Sequence, residues 1–468
     1  MKRTPIKETP LAVGDVVCVE GWVDVRRDHG KIVFLDVRDA GAVCQVVCGP
    51  WSPKETYQTA QEARAEWVVR VEGLVKNRPK ELVNEKLLTG TIELDAQRIE
   101  ILNQAHTLPF SIADEGYAVN EEVRMRYRYV DLRRPRLARN IALRHAVTKY
   151  IRDYLDERGF YEIETPILTK STPEGARDYI VPSRLYPGQW YALPQSPQQY
   201  KQLLMVGGVE KYFQIARCFR DEDTRGDRQP EFTQMDLEMA FVGREEVMAL
   251  NEAMLIALVK TLFPEKKVQD IPFPRLTYQE AMEKYGTDRP DLRKDKNDKN
   301  VLAFAWIVDF PFFEKTEGGY TFTHNPFSAP INDHLPWLME KTRVDEILTT
   351  QYDVALNGFE IGGGSIRNHR PEALKKVFEI MGFSDERIQK NFGHMLEALS
   401  LGTPPHGGIA WGLDRLLALL LDEPNIREVI AFPKTGDARD VMMDAPSAVE
   451  DIQLKELRIS INQDKKQK

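Results

Sequence analysis

Cysteine is scarce in this chain, four residues in 468, and no two of them form a CxxC pair. Cys18, Cys44, Cys48 and Cys218 therefore do not read as a disulfide framework or a structural zinc site. Three of them fall in strand-like runs, which fits a reducing compartment. Long apolar runs are also missing. The chain never reaches the roughly 18 consecutive apolar residues of a membrane span, and MKRTPIKETP has no apolar stretch behind its charges. Neither a span nor a signal peptide is expected, and the location expected is the cytoplasm. Positive charge is in deficit, with 64 Lys and Arg against 72 Asp and Glu and a net charge of −8. That excludes a generally basic coat for nucleic acid and leaves only local strips. GxxxxGK[ST], a strand-borne GxGxxG and GxSxG are all absent, so parallel-sheet nucleotide folds and serine-elbow hydrolases are unsupported.

With 42% hydrophobic and 29% charged residues, the chain has the composition of a globular protein of two or three domains. From Gly14 to Ala105 it reads as five short strands with one helix, TAQEARAEW, between the third and fourth, the pattern of a small OB-type barrel. In KIVFLDVRD, Val33, Leu35 and Val37 share one parity and Phe34 falls on the polar one. An exposed ring near Arg26, Arg27 and Lys31 suits stacking of an unpaired base, and a Phe packed under a loop explains it equally well.

Residues 106–135 read as a hinge, and the remainder, 136–468, as one α+β domain of mostly antiparallel strands flanked by helices. Between Arg124 and Arg144 eight arginines face a single acid, Asp131, either as a solvated helix entry or as a track for a polyanion. The stretch Phe219–Phe241 reads as a strand, a charged loop and a returning strand. On the return, Phe232, Gln234, Asp236 and Glu238 alternate with Thr233, Met235 and Leu237, which gathers the polar set on one sheet face. QYDVALNGFEIGGGSIR reads as a strand ending in three glycines, and GTPPHGGIAWGLDRLLALLL as a glycine-rich strand entering an apolar helix.

The polar residues on these segments carry both signs. Arg220, Arg367, Arg415 and Lys201 stand against Glu174, Glu222, Asp236, Asp353 and Glu360. Arginines scattered among apolar segments suit a polyphosphate, which they clamp bidentately. Asp353 and Glu360, placed on one strand and its end, suit Mg2+, which takes one or two carboxylates plus phosphate oxygens. Taken singly, each of these residues is better explained by a structural ion pair; together they outnumber what structural pairs require.

FRDED with the returning QPEFTQMDLE resembles motif 2 of the class II aminoacyl-tRNA synthetases, GFYEIETPILT resembles motif 1, and GIAWGLDRLLALLL resembles motif 3. The preceding barrel is similar to that of the aspartate, asparagine and lysine subclass. TPEGARDY, ALPQSPQQYKQLLM, GFEIGGGSIR and IAFPKT resemble the bacterial aspartyl enzymes. The resemblance implies an OB-fold anticodon-binding domain followed by a class II catalytic domain that uses ATP, Mg2+ and L-aspartate. Arg220, Glu222 and Arg415 are implied as catalytic. Together with Arg228, Gln229, Phe232 and Glu360 they are implied to bind ATP, and Asp353 and Glu360 to hold the metal. Lys201 and Arg367, oriented by Asp236, are implied to grip the aspartate side chain. Glu174, Ser196 and Gln198 are implied to receive its amino group under the closing loop TKSTPEGA, with His324 also on the amino-acid side. Arg27, His29, Phe34, Gln45 and Glu93 are implied to meet the anticodon, and Arg133 and Arg134 of DLRRP the tRNA stem. The partners implied are tRNA(Asp), tRNA(Asn) as well in relaxed members, and a second copy of the chain through motif 1.

Three departures from the family pattern stand out. The extra domain that bacterial members carry after a sequence like YGTDRPDLR is missing near 291–300. The usual paired histidines before PF appear as His324 and Asn325. His29 resembles the relaxed enzymes, while RPKELVNEK lacks the glycine those enzymes show. Other readings are an asparaginyl or lysyl enzyme, which Lys201 and Arg367 oppose, a non-catalytic RNA-binding paralogue, and an amide ligase with no use for the barrel.

Overall fold

The alternation of apolar residues in the first hundred positions closes a sheet on itself. Strands β1 (Val16–His29), β2 (Ile32–Arg38), β3 (Val43–Cys48), β4 (Val68–Asn77) and β5 (Ile92–Asn103) form a closed barrel in the order β1-β2-β3-β5-β4, with helix α1 (Lys54–Glu62) between β3 and β4. Val33, Leu35 and Val37 point into its core and Phe34 lies half-buried on the outside, as parity requires. All four cysteines are buried and free.

The computed structural model describes residues 1–171 and 174–461, and the chain divides into two units, Met1–Asp114 and Glu115–Lys468. Part of the stretch read as a hinge therefore belongs to the second unit. Helices α2 (Glu121–Arg126) and α3 (Arg128–Asp131) bury Arg124, Met125, Arg128, Val130 and Asp131 and lead into α4 (Pro135–Asp156), which has proline in its first turn. Among the described residues, no helix is long and apolar enough to cross a membrane.

The second unit is built on an eight-stranded sheet. Its strands in chain order are β6 (Tyr161–Glu162), β7 (Lys211–Phe219), β8 (Glu231–Ala240), β9 (Arg275–Thr277), β10 (Phe304–Val308), β11 (Tyr352–Leu356), β12 (Phe359–Ile366) and β13 (His406–Gly412). Across the sheet they run β9-β10-β11-β12-β13-β8-β7-β6. Only the edge pairs are parallel. Motif 1 thus contributes a two-residue edge strand, which accommodates Pro166 just beyond it.

One face of the sheet is the main core. Met235, Leu237, Val354, Ile409 and Trp411 pack there against Val147, Ile151 and Leu155 of α4, against helix α6 (Arg244–Leu262), and against Leu413, Leu416 and Leu417 of the helix after β13. The opposite parity forms a polar face. Helix α5 (Gln198–Val206) begins directly after Pro197 and sends Lys201 to it, so the core face and the chemical face come from one alternating pattern.

Candidate active site

Cross-strand register lays out the floor of the site. Asp353, Gly363, Ala410, Asp236 and Gln214 stand opposite one another across five neighbouring strands. The next rung holds Ser365, Gly408 and Glu238. Acids flank a centre of small residues, and the space between them is required. A Cβ on Gly408 would meet Oε2 of Glu238 at 2.2 Å, and one on Gly363 would meet Oδ1 of Asp353 at 2.6 Å.

On the Asp236 side lie two buried cations. Nζ of Lys201 donates to Asp236 at 2.6 Å and pairs with Glu238 at 3.2 Å. Arg367 donates to both oxygens of Glu238, at 2.9 and 3.1 Å, and to Ser365 Oγ at 2.9 Å. The expectation that Asp236 orients both cations is corrected: Asp236 holds Lys201, and Glu238 holds Arg367. Glu238 stands in the same alternation as Asp236, so its row was legible although its role was not. The two acids respond oppositely. Burial lifts Asp236 above the usual carboxylate range against the pull of Lys201. Burial acts on Glu238 as well, but the Arg367 fork and Lys201 outweigh it and hold the group low.

Glu174, Ser196 and Gln198 form a chain. Ser196 Oγ donates to Glu174 at 2.8 Å and accepts from the Gln198 backbone N–H at 3.3 Å. A cavity of about 200 Å³ adjoins Glu174 and Ser196, bounded also by Tyr200 and His394. The loop TKSTPEGA includes residues 172 and 173, which lie outside the described residues.

Across the glycine floor, Asp353 and Glu360 do not share a strand as expected. Asn357 and Gly358, with φ of 52° and 92°, turn the chain back, so β11 and β12 form a hairpin. Asn-Gly is the strongest short hairpin signal. The hairpin sets the two acids on adjacent strands, both near Gly363, and Gln351 donates to Asp353 at 3.0 Å. Two carboxylates without a third ligand do not make a self-sufficient metal cage, and no larger His, Cys, Asp and Glu group exists among the described residues. They do fit Mg2+ bound jointly with phosphate oxygens. His324 sits on this side, edge-on to Phe310 with ring centroids 4.7 Å apart, where burial lowers its pKa against the field of Glu360.

The motif 2 hairpin places the guanidinium carbon of Arg220 5.1 Å from the Phe232 ring centroid. Glu222 pairs with Arg228 at 3.3 Å. Arg415, in helix α7 (Leu413–Leu420 in chain order after the loops above), donates to the Glu360 carbonyl and to Asp227 at 3.1 Å. Gln229 accepts from the Lys434 backbone N–H at 2.8 Å. Among the described residues, Arg220 Nε, Arg415 Nε, Gln229 Nε2 and Asp236 Oδ2 are buried without a partner, which is unusual for a finished core and fits polar ligands at these positions.

On the barrel, Arg27 donates to Asp36 at 2.7 and 2.9 Å and to Gln45 at 3.4 Å, and Gln45 donates to Glu93 at 3.3 Å. Phe34 meets His29 edge-on at 6.0 Å. The five residues assigned to the anticodon thus share one outer face.

The arginine strip is corrected. Arg134 is fully buried and donates to Asp131 at 2.7 Å, so it faces the interior and not an RNA stem. Arg124 and Arg128 join it on Asp131, at 3.0 and 2.8 Å, while Arg124 and Arg136 also hold Glu428, at 2.7 and 2.8 Å. The acids that balance the strip come from the far end of the chain, which local composition does not reveal. Arg133 is half-buried.

Residues 120–436 match the family described as tRNA synthetases class II (D, K and N), and residues 17–102 match the OB-fold nucleic acid binding domain family. A protein of Geobacillus kaustophilus named aspartate–tRNA ligase is 41% identical, over 96% of this chain and 97% of the relative. The chain belongs to the bacterial-type aspartyl-tRNA synthetases of class II. Another member, of Natranaerobius thermophilus and named aspartate–tRNA(Asp/Asn) ligase, is 41% identical over 98% of this chain and 99% of its own length. The 578 positions aligned with the Geobacillus member exceed the 468 residues here, so that member carries sequence with no counterpart in this chain. Among solved structures, the asparaginyl-tRNA synthetase of Pyrococcus horikoshii has the same fold, with a TM-score of 0.75 at 22% identity, over 93% of this chain and 98% of that one. The aspartyl-tRNA synthetase of Entamoeba histolytica matches with a TM-score of 0.71 at 25% identity, over 92% of this chain and 91% of that one.

Proposed function

We propose that this protein is an aspartate–tRNA ligase: it joins L-aspartate to AMP, using ATP, and passes the aspartyl group to the 3′ end of tRNA(Asp). The observation that carries this reading is the buried Lys201 and Arg367 pair, a site for a small carboxylate held by Asp236 and Glu238 of β8, the strand that also carries Phe232. An oxygen of the aspartate α-carboxylate attacks the α-phosphorus of ATP. A C–O–P linkage forms, the bond to the bridging oxygen breaks, and pyrophosphate leaves with the electron pair. A terminal ribose hydroxyl then attacks the activated carbonyl and loses its proton as AMP departs. Neither step needs a protein nucleophile, so positioning and charge stabilisation supply the rate.

In this reading Arg220 holds the α-phosphate and the α-carboxylate, Phe232 stacks on adenine, and Glu222, Arg228 and Gln229 line the nucleotide side. Arg415 takes the far phosphates. Asp353 and Glu360 would hold Mg2+, which would supply positive charge to the phosphates. Arg27, His29, Phe34, Gln45 and Glu93 read the anticodon. The barrel domain, read as 1–105, and the catalytic domain, read as 136–468, divide these tasks, and the protein acts in the cytoplasm as a homodimer. The exposed Tyr161, Leu168, Ile180, Leu185 and Trp190 around motif 1 support such an interface.

Strict and relaxed specificity are both open to this chain: His29 resembles the relaxed members, RPKELVNEK does not, and its relatives carry both names. Charging of purified aspartate and asparagine tRNAs with labelled aspartate tests both levels. Charging of the aspartate tRNA alone makes the enzyme strict, and charging of both makes it relaxed. Charging of neither, with no aspartate-dependent pyrophosphate exchange, refutes the ligase and favours an RNA-binding paralogue.

A further inference from the structure

The first residue of β13 is a histidine that none of these roles uses. His406 is fully buried. Its Nδ1 lies 2.8 Å from the carbonyl oxygen of Pro404, an atom that only accepts, so Nδ1 carries the proton. Nε2 is left as an acceptor, and 3.2 Å away lies Nε2 of Gln202, which only donates. The Gln202 oxygen in turn accepts from Nε2 of Gln198 at 3.0 Å. Each contact fixes the next. The backbone carbonyl sets the ring tautomer, the tautomer sets the Gln202 amide, and that amide sets Gln198. Gln198 therefore commits its nitrogen to Gln202 and offers its carbonyl oxygen. The backbone N–H of the same residue donates to Ser196 Oγ at 3.3 Å, and Ser196 in turn donates to the Glu174 carboxylate at 2.8 Å.

We propose that His406 is a positioning residue which, through Gln202, holds the Gln198 amide with its oxygen toward the ammonium group of the amino-acid substrate. The inference rests on the ligase reading above. A ring protonated on both nitrogens donates toward a nitrogen that also donates. The Gln202 amide then turns over, Gln198 follows, and an NH2 group meets the ammonium. The ring is faced by Glu238 of β8, by Arg367 and His369 after β12, and by Gln202 of α5. Burial disfavours its charged form most, Glu238 and the Pro404 carbonyl favour it, and Arg367 and His369 oppose it, leaving the ring below its ordinary pKa.

Succinate, aspartate without its amino group, separates this role from simple packing. In aspartate-dependent pyrophosphate exchange by the full chain, His406→Leu is expected to raise KM for aspartate about tenfold. KM for ATP and the competitive Ki of succinate should stay within about twofold of the parent. His406→Gln, whose amide oxygen accepts from Gln202, should recover most of the loss. Equal increases for aspartate and succinate, or no change in either, overturn the proposal. Should His406→Leu not fold, Gln202→Leu is read in the same assay, where the ratio of aspartate KM to succinate Ki must rise. A flat ratio overturns the relay alone. Absence of exchange in the parent protein overturns the ligase reading, and the relay with it.

Discussion

Arg367 has five N–H donors, and three are committed: Nε and one Nη2 hydrogen to Glu238, and one Nη1 hydrogen to Ser365. One hydrogen remains on each terminal nitrogen, side by side, the geometry that meets both oxygens of a carboxylate. Lys201 adds a second charge held from below by Asp236 and Glu238. An amide side chain in this place offers one acceptor and no charge and leaves buried donors unpaired. Arg367→Leu is therefore expected to lower aspartate-dependent pyrophosphate exchange by about a hundredfold or more. Asparagine should not become a substrate, as exchange with either amino acid will show. The residues of this pocket were legible because cations in apolar segments are conspicuous. Glu238 escaped because an acid on a charged hairpin resembles a solvated one until the packing encloses it.

The segment α2 to α4 is fastened to the residues after motif 3 by buried ion pairs, with Arg124, Arg128, Arg134 and Arg136 gathered on Asp131 and Glu428. Burial works to raise both carboxyls. Hydrogen bonds from Arg124 and Arg134 at Asp131, and from Arg124 and Arg136 at Glu428, outweigh it, and both acids sit below their usual range. An acid held lower in the folded chain contributes stability that is complete above its unfolded value of about 4 and is lost as pH falls through the folded one. The urea midpoint should accordingly drop between about pH 5 and about pH 3. Glu428→Gln should reduce that slope while destabilising the protein at neutral pH by about 3 kcal/mol, since it removes a negative charge that two buried guanidinium groups share. An unchanged slope in the variant contradicts the assignment. Elements with an internal period were readable from the sequence: the barrel strands and the motif 2 hairpin. The strip was not, because its partners lie about three hundred residues away and proximity in the chain carries no trace of them.

At the scale of the whole chain, RNA recognition and activation are assigned to different units. Phe34→Ala should weaken tRNA charging by about tenfold, the loss expected when one stacked base loses its aromatic partner. Aspartate-dependent exchange should remain within about twofold, and equal damage to both activities contradicts the barrel's assignment. Light scattering should return twice the 53.8 kDa mass of the chain, and a monomer contradicts the interface at motif 1. The turn at Asn357 and Gly358 separates the parts of the site in time as well as in space. It brings Asp353 beside Glu360 through a loop of a few residues, whose closure costs little entropy. Lys201 reaches Glu238, and Glu238 reaches Arg367, only when segments far apart in sequence have met. The acid pair is thus a local product available early in folding, whereas the carboxylate pocket reports that the sheet is complete. A partly folded chain gathers its negative charges before it can recognise an amino acid.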